Sequence, residues 1–93
     1  MKFTINDEVS WLSQSGGSEK LKTGIVLGVC LAGQYPQLVH PDLAKLPDRS
    51  ARWAGGYATI SSNDRYVIAV PRGGKSKLTD FYMPRVSSVD RYL

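Results

Sequence analysis

The chain contains too few metal-binding and redox-active residues for several common kinds of site. It has one cysteine, Cys30, and one histidine, His40, among its 93 residues. A single cysteine excludes a disulfide within the chain, and this pair alone cannot supply the ligands of a Cys/His zinc site. Cys30 lies in the apolar run from Ile25 to Leu31, so we expect it to pack rather than to act as a nucleophile. We expect no metal and no other cofactor.

Residues for acid–base chemistry are equally sparse. His40 precedes Pro41, and Asp42 follows two residues after the histidine, which is too close in sequence to indicate a preorganised catalytic pair. The carboxylates are scattered among turns without the spacing of a glycosidase or metal site. The sequence therefore predicts a protein that is not an enzyme and has no catalytic residue.

Long hydrophobic runs are also missing. No apolar stretch approaches the roughly 20 residues of a membrane helix, and Met1 to Thr4 leads into acidic residues without the apolar core of a secretory signal. We expect a cytoplasmic protein with no membrane partner. Its length fits one domain over residues 1–93 with a single modest core.

The charge excess is small. Twelve Lys and Arg against eight Asp and Glu give +4, which favours anionic partners but is weaker than in many dedicated nucleic-acid-binding proteins.

The pattern of apolar residues and turn residues mainly predicts short strands. Val9 and Trp11 alternate at period two, and a second strand carries Gly24 and Gly28, which are typical of bulges in curved strands. Five strands are predicted, over residues 7–13, 21–32, 57–61, 65–70 and 78–83. Pro84 ends the last of them, and the spacing of Val86 and Val89 predicts a single helical turn.

The connection from residue 33 to residue 56 is unusually long for so small a domain. Pro36, Pro41 and Pro47 interrupt it, and only the segment from Asp42 to Leu46 favours a helical turn. Long loops of this kind are often functional or disordered, so this one is a candidate binding element.

These elements predict an all-β fold, a small closed or nearly closed antiparallel barrel. The order of "DEVSW", "KTGIVLGV", "YVIAV" and "FYMPRVSSVD" resembles that of small SH3-like barrels of the Tudor and KOW type. The resemblance implies a five-stranded SH3-like antiparallel barrel that finishes with a short C-terminal helical turn. The long loop over residues 33–56, between the second and third predicted strands, departs from the compact barrel of those families. The closing "PRVSSV" is also similar to small uncharacterised proteins of bacteria and their phages, which imply no activity.

The Gly74-Lys75-Ser76 triplet matches the end of a phosphate-binding loop, but its context does not fit. Such a loop needs a glycine five positions earlier, where Ala69 stands, and a helix afterwards, where a strand is predicted. We interpret the segment as a hairpin turn. Its basic residues can still contact a nucleic-acid backbone, or they only keep the hairpin soluble: Arg72, Lys75 and Lys77.

A second basic cluster joins Arg49 and Arg52 to Trp53. These side chains are suited to stacking on bases or filling a pocket of a partner, and the alternative is that Trp53 folds back to cap the barrel. Tyr66 and Tyr82 form core, rim or an aromatic platform, depending on strand register.

Two hypotheses of function follow. The first is a nucleic-acid-binding module that uses both basic clusters with Tyr66 and Tyr82. The second is a protein-binding module, such as a phage or mobile-element factor that docks on and modulates a host protein machine, with the 33–56 loop and Trp53 as its anchor. The basic and aromatic composition favours nucleic acid.

Overall fold

The computed structural model describes residues 2–15, 17–46, 52–53 and 60–91. It is mostly β-structure. These residues contain five strands: β1 (Glu8–Ser15), β2 (Ser18–Cys30), β3 (Arg65–Pro71), β4 (Thr79–Tyr82) and β5 (Val89–Arg91). The prediction of five antiparallel strands with little helix is confirmed, although one of the five differs from the sequence prediction.

The strands form one antiparallel sheet in the order β4-β3-β2-β1-β5. The predicted strand over 57–61 begins outside the described residues, and Ile60 and Ser61 are not in a strand. A strand that the sequence did not predict, β5, pairs with β1 from Val9↔Arg91 to Trp11↔Val89. Sequence inspection missed β5 because it has only three residues and carries no alternation of its own.

The sheet is open in the described residues, so closure was wrong for the barrel that was expected to be closed or nearly closed. No ladder joins β4 to β5 in the parts of the chain that are described. Both strands are short, and Pro84 together with a 3₁₀ turn at Val86–Ser88 lies between them. A proline cannot donate a ladder hydrogen bond, so β4 does not extend towards β5 at this point.

The other turns follow the sequence closely. The helix α1 (Pro41–Ala44) starts with proline at its first position, where the missing N–H is not needed, and a 3₁₀ turn at Pro36–Leu38 precedes it. The predicted turn near Val86 is also present, although β5 follows it. None of the helices in the described part of the chain has the length and apolar character needed to span a bilayer.

The sheet buries apolar residues on both faces. The first core packs against one face, which we call the inner face, and consists of Phe3, Val9, Trp11, Val26, Tyr66, Ile68 and Val89. The second core packs against the outer face and consists of Cys30, Leu43, Trp53, Val67 and Phe81. Successive residues of β3 alternate between the two cores, which explains its almost uninterrupted apolar sequence YVIAV.

The long β2–β3 connection supplies the cover for the outer face. Leu43 of α1 and Trp53 are fully buried in the second core, with Val39 and Leu46 packed against it. The connection, called the insertion below, is therefore part of the folded structure where it is described.

Two glycines of β2 allow close packing. A β-carbon on Gly24 would lie 2.7 Å from the carbonyl oxygen of Ala69, so β2 and β3 can cross closely only because no side chain is present. The ladder between these strands shifts register between Val26 and Gly28. This irregularity confirms the expected glycine-associated bulge in the second strand.

Candidate functional site

The segment from Arg72 to Leu78 is a hairpin turn between β3 and β4. The N–H of Arg72 donates to the carbonyl oxygen of Leu78, and that of Ser76 donates to Gly73, with Gly73 and Gly74 at positive φ. Strand β4 begins at Thr79, so no helix follows the Gly-Lys-Ser triplet. The turn lacks the helix N-terminus that a phosphate-binding loop of the nucleotide type uses.

The three basic residues of the turn are not equivalent. Arg72 is bound to Asp80, with its Nε 3.0 Å from both carboxylate oxygens and Nη2 2.9 Å from Oδ1. These hydrogen bonds and the charge of Asp80 raise the pKa of Arg72. Lys75 and Lys77 are exposed, and neither forms an ion pair with a described residue. Two lysine charges of the turn therefore remain available to an anionic partner.

The second basic cluster lies on the other side of β4. Arg52 donates from Nε to the carbonyl oxygen of Thr79 at 2.8 Å, and its guanidinium lies 5.3 Å from the ring centroid of Phe81. Phe81 faces the outer core, whereas Asp80 and Tyr82 alternate to the inner face. Arg52 and Arg72 thus bind neighbouring residues of β4, Thr79 and Asp80, but they lie on opposite faces of the sheet. Arg49 lies outside the described residues.

Trp53 is 1% exposed, and its ring lies 5.7 Å from that of Phe81. Of the two alternatives that the sequence left open, the structure places this indole folded back, against the outer face of the sheet rather than at the end of a barrel. Its Nε1 has no hydrogen-bond partner among the described residues. In this position the ring is not presented to a partner.

The two tyrosines share the inner face but differ in exposure. Tyr66 is fully buried, and its hydroxyl oxygen accepts a hydrogen bond from the N–H of Phe3 at 2.9 Å. Tyr82 is only half-buried, and its ring lies 5.5 Å from the ring of Trp11. Tyr66 is placed as a core residue, and Tyr82 is the one at the surface.

A groove of about 320 Å³ opens beside Tyr82, where the sheet fails to close. Tyr82 and the edge of the buried Trp11 contribute to its lining, together with two arginines, Arg65 and Arg85. The remaining described lining residues are uncharged: Leu12, Ser13, Met83, Pro84 and Ser88. The groove thus combines one partly exposed aromatic ring, that of Tyr82, with positive charge.

Lys22 adds a further charge at this groove. Its Nζ lies 5.8 Å from the ring centroid of Tyr82, within the range of a cation–π contact. Arg65 is held rigidly, because Nε donates to Ser61 Oγ and Nη1 donates to the carbonyl oxygen of Met83, both at 2.7 Å. Arg85 is exposed.

The groove and the hairpin turn are connected along the inner face of β4. Tyr82 lies in the groove, Asp80 with Arg72 lies two residues earlier on the same face, and the turn follows. We call this set of residues the basic strip: Lys22, Arg65, Arg72, Lys75, Lys77, Tyr82 and Arg85.

Sequence inspection missed Lys22, Arg65 and Arg85. A signal for Lys22 was available, since the turn between Ser15 and Ser18 fixes the hairpin register that places Lys22 opposite Trp11. The two arginines had no such local signal. They reach the groove through the opposition of Arg65 and Arg85 across an isolated bridge, which a sequence does not display.

His40 and Cys30, the single histidine and cysteine of the chain, have structural roles. His40 caps α1 by accepting a hydrogen bond from the N–H of Asp42 on Nδ1 at 3.2 Å. The pKa of the Cys30 thiol is raised, and burial is the largest cause. The positive charge of Arg65 opposes this shift, and the negative charge of Asp64 adds to it. A protonated, buried thiol is a poor nucleophile. In the described part of the chain, no group of three or more His, Cys, Asp or Glu side chains is placed to hold a metal ion.

No family model, no curated protein and no solved structure matches this chain.

Proposed function

We propose that this protein is a non-enzymatic nucleic-acid-binding module of SH3-like topology whose contact surface is the basic strip. The strand order β4-β3-β2-β1-β5, with a 3₁₀ turn leading into β5, agrees with an SH3-like barrel left open between β4 and β5. That opening is where the groove lies.

The observation that carries the proposal is the composition of the groove. An aromatic side chain, Tyr82, is half-exposed between cations, and no carboxylate is among the described lining residues. Stacking of a base on an aromatic ring, with nearby cations on the phosphates, is the usual basis of sequence-tolerant binding to single strands. Lys75 and Lys77 extend the positive surface for further phosphate contacts.

Fluorescence anisotropy with a labelled single-stranded oligonucleotide tests this function at two salt concentrations. We expect binding at low salt that weakens steeply as salt increases, because phosphate contacts release counterions. The double variant Lys75→Glu/Lys77→Glu should reduce both the affinity and the slope of its salt dependence. The variant Tyr82→Ala should reduce affinity by about 1–3 kcal/mol while leaving the slope nearly unchanged.

Lys2→Glu is the matched charge control. Lys2 lies over the ring of Phe3, near the hollow lined by Asp7 and Glu8 and away from the basic strip. If Lys2→Glu weakens binding by half as much, in free energy, as the double lysine variant of the turn, the oligonucleotide responds to the net charge of the protein and not to this surface. Absence of binding at low salt would refute the function itself.

A protein-binding function is the second candidate, and a specific apolar patch favours it. Leu31, Tyr35, Leu38 and Ile60 are between 47% and 71% exposed. The N–H of Gly33 donates to the carbonyl oxygen of Ser61, which brings the segments carrying these side chains together. Clusters of exposed large apolar residues are a common mark of protein interfaces. In this version Tyr35 and Leu38 take the anchoring role that the sequence assigned to Trp53.

The two functions separate in a pull-down comparison. A protein partner should be retained by Lys75→Glu/Lys77→Glu and lost with Leu38→Glu. Recovery of the same proteins by the wild type and by Leu38→Glu would argue against this patch as the interface.

A further inference from the structure

One cation of the basic strip is already bound by a carboxylate of the chain itself. Nε of Arg72 lies 3.0 Å from both carboxylate oxygens of Asp80, and Nη2 lies 2.9 Å from Oδ1. Arg65 differs, because its guanidinium donates to neutral acceptors, Ser61 Oγ and the carbonyl oxygen of Met83. Arg65 therefore keeps its net positive charge, whereas the charges of Arg72 and Asp80 cancel each other.

The register of the β3–β4 hairpin brings this pair together. Val70 lies opposite Asp80, and Arg72 follows Val70 by two residues, so that its side chain is on the same face. Arg72 and Asp80 are thus diagonal neighbours across the hairpin, at a separation that a long side chain can span. The N–H of Arg72 also donates to the carbonyl oxygen of Leu78 and closes the turn. The hairpin itself therefore holds the two side chains in contact.

The carboxylate occupies an edge of the guanidinium that is suited to phosphate. Arginine binds carboxylate and phosphate groups in the same manner, through parallel N–H bonds from one edge of its planar group. Asp80 takes the edge formed by Nε and Nη2. The side chains of Arg72 and Asp80 are 39% and 24% exposed, so a phosphate can reach the pair and compete for that edge.

The pair lies between the two other parts of the basic strip. Asp80 precedes Tyr82 by two residues on the same face of β4, which is about 7 Å along a strand. Lys75 and Lys77 lie beyond the pair, in the turn. A single strand that stacks a base on Tyr82 and extends its phosphates to these lysines has to cross the Arg72–Asp80 contact.

We propose that Asp80 is an internal competitor of phosphate. By holding Arg72, it keeps the affinity of the basic strip for a single strand lower, and the salt dependence of binding shallower, than they would be with Arg72 released. This inference rests on the proposed nucleic-acid-binding function and adds a residue that limits it. Removal of the Asp80 charge should therefore strengthen binding.

Fluorescence anisotropy with a labelled oligothymidylate tests the proposal. Asp80→Asn should bind about fivefold more tightly than the wild type, and its salt slope should be steeper by about 0.7, the value for one more phosphate contact on a single strand. Exposed ion pairs contribute little to stability, so this variant should keep the fold. Circular dichroism and the urea midpoint check that each protein is folded under the conditions of the titration.

Asp90→Asn is the matched control. It makes the same charge change at an exposed position of β5, at the other edge of the sheet from β4, and should raise the affinity by less than about twofold without changing the slope. Arg72→Gln shows whether the gain depends on the released arginine. In the Arg72→Gln background, Asp80→Asn should have no larger effect than Asp90→Asn, so the cycle should show coupling between the two residues.

Equal gains from Asp80→Asn and Asp90→Asn would overturn the proposal, because they would reflect net charge alone. A gain from Asp80→Asn of the same size with and without Arg72 would also overturn it, since Asp80 would then repel phosphate directly. Wild-type binding without a gain in Asp80→Asn would refute this inference and leave the proposed function intact. Failure of the wild type and of every variant to bind at low salt would refute both.

Discussion

Gly28 controls how closely the insertion approaches the sheet. A β-carbon at this position would lie 2.6 Å from Cγ1 of Val39, well inside van der Waals contact. Val39 itself packs against the second core. The missing side chain of one residue therefore leaves the space that the other occupies.

Gly28→Ala should lower the free energy of unfolding by about 1–3 kcal/mol, because the added methyl group forces Val39 out of its position. In a Val39→Ala background the same substitution should cost clearly less, since the clashing atom is gone. Urea denaturation of the four proteins of this double-mutant cycle measures the coupling.

Thr23→Ala, at an exposed position of the same strand, is the control for general effects on β2. Equal costs of Gly28→Ala in the presence and absence of the Val39 side chain would show that the glycine serves the bulge and not the docking of the insertion.

Cys30 makes the stability of the folded protein decrease at alkaline pH. Burial raises the pKa of its thiol in the folded state, so the unfolded chain loses this proton first as the pH rises. The folded protein then binds more protons than the unfolded one, and stability falls above about pH 8.5. Cys30→Ala should be less stable at pH 7 but should lose less stability between pH 7 and pH 10. Urea midpoints of both proteins at the two pH values measure this, and parallel losses would contradict it.

At the scale of elements, the insertion and the edge strand β4 depend on each other. Arg52 and Trp53 lie alongside β4, where the N–H of Phe81 donates to the carbonyl oxygen of Arg52 at 2.8 Å and Trp53 forms a parallel bridge with Phe81. The indole is also buried in the second core.

Trp53→Ala should therefore destabilise the protein by about 3–5 kcal/mol, the range for removing a buried aromatic side chain. Oligonucleotide binding by this variant should decrease only in proportion to the fraction of protein that is unfolded. Leu38→Ala, an apolar truncation at an exposed site of the insertion, should change stability by less than about 0.5 kcal/mol. Normal stability with lost binding in Trp53→Ala would instead support the stacking role considered from the sequence.

The sequence predicts those elements whose signals are local. Alternation at Val9 and Trp11, glycines in β2 and Pro41 at the start of α1 each have a physical meaning within a few residues. The fifth strand does not, because β5 is defined by its pairing with β1 and not by its own three residues. The sequence did not determine whether Trp53 is buried, for the same reason. Burial of an aromatic side chain in a loop depends on which apolar surface the rest of the chain leaves uncovered. The groove beside Tyr82 arises from strands that do not meet, and no local pattern encodes that.

At the scale of the whole molecule, β3 ties the two cores together. Tyr66 and Ile68 belong to the first core, and Val67 between them belongs to the second. Neither core can lose its packing against β3 without disturbing the other, so we expect one cooperative unfolding transition.

The two tryptophans of the chain allow a direct test, because Trp11 lies in the first core and Trp53 in the second. Trp53→Phe leaves an indole that reports only on the first core, and Trp11→Phe leaves one that reports only on the second. In each variant the urea midpoint from tryptophan fluorescence should equal that from far-ultraviolet circular dichroism. A lower fluorescence midpoint in Trp11→Phe alone would mean that the insertion detaches before the sheet unfolds.

The hydrogen bond from Phe81 to Arg52 has a further consequence for behaviour at high concentration. An edge strand with unpaired N–H groups can be extended by a strand from a neighbouring molecule, which is a common route to aggregation. Here the chain's own backbone already pairs with that edge, through the Phe81 N–H hydrogen bond to Arg52 and the parallel bridge between Trp53 and Phe81. The segment that completes the outer core thus also limits intermolecular growth of the sheet.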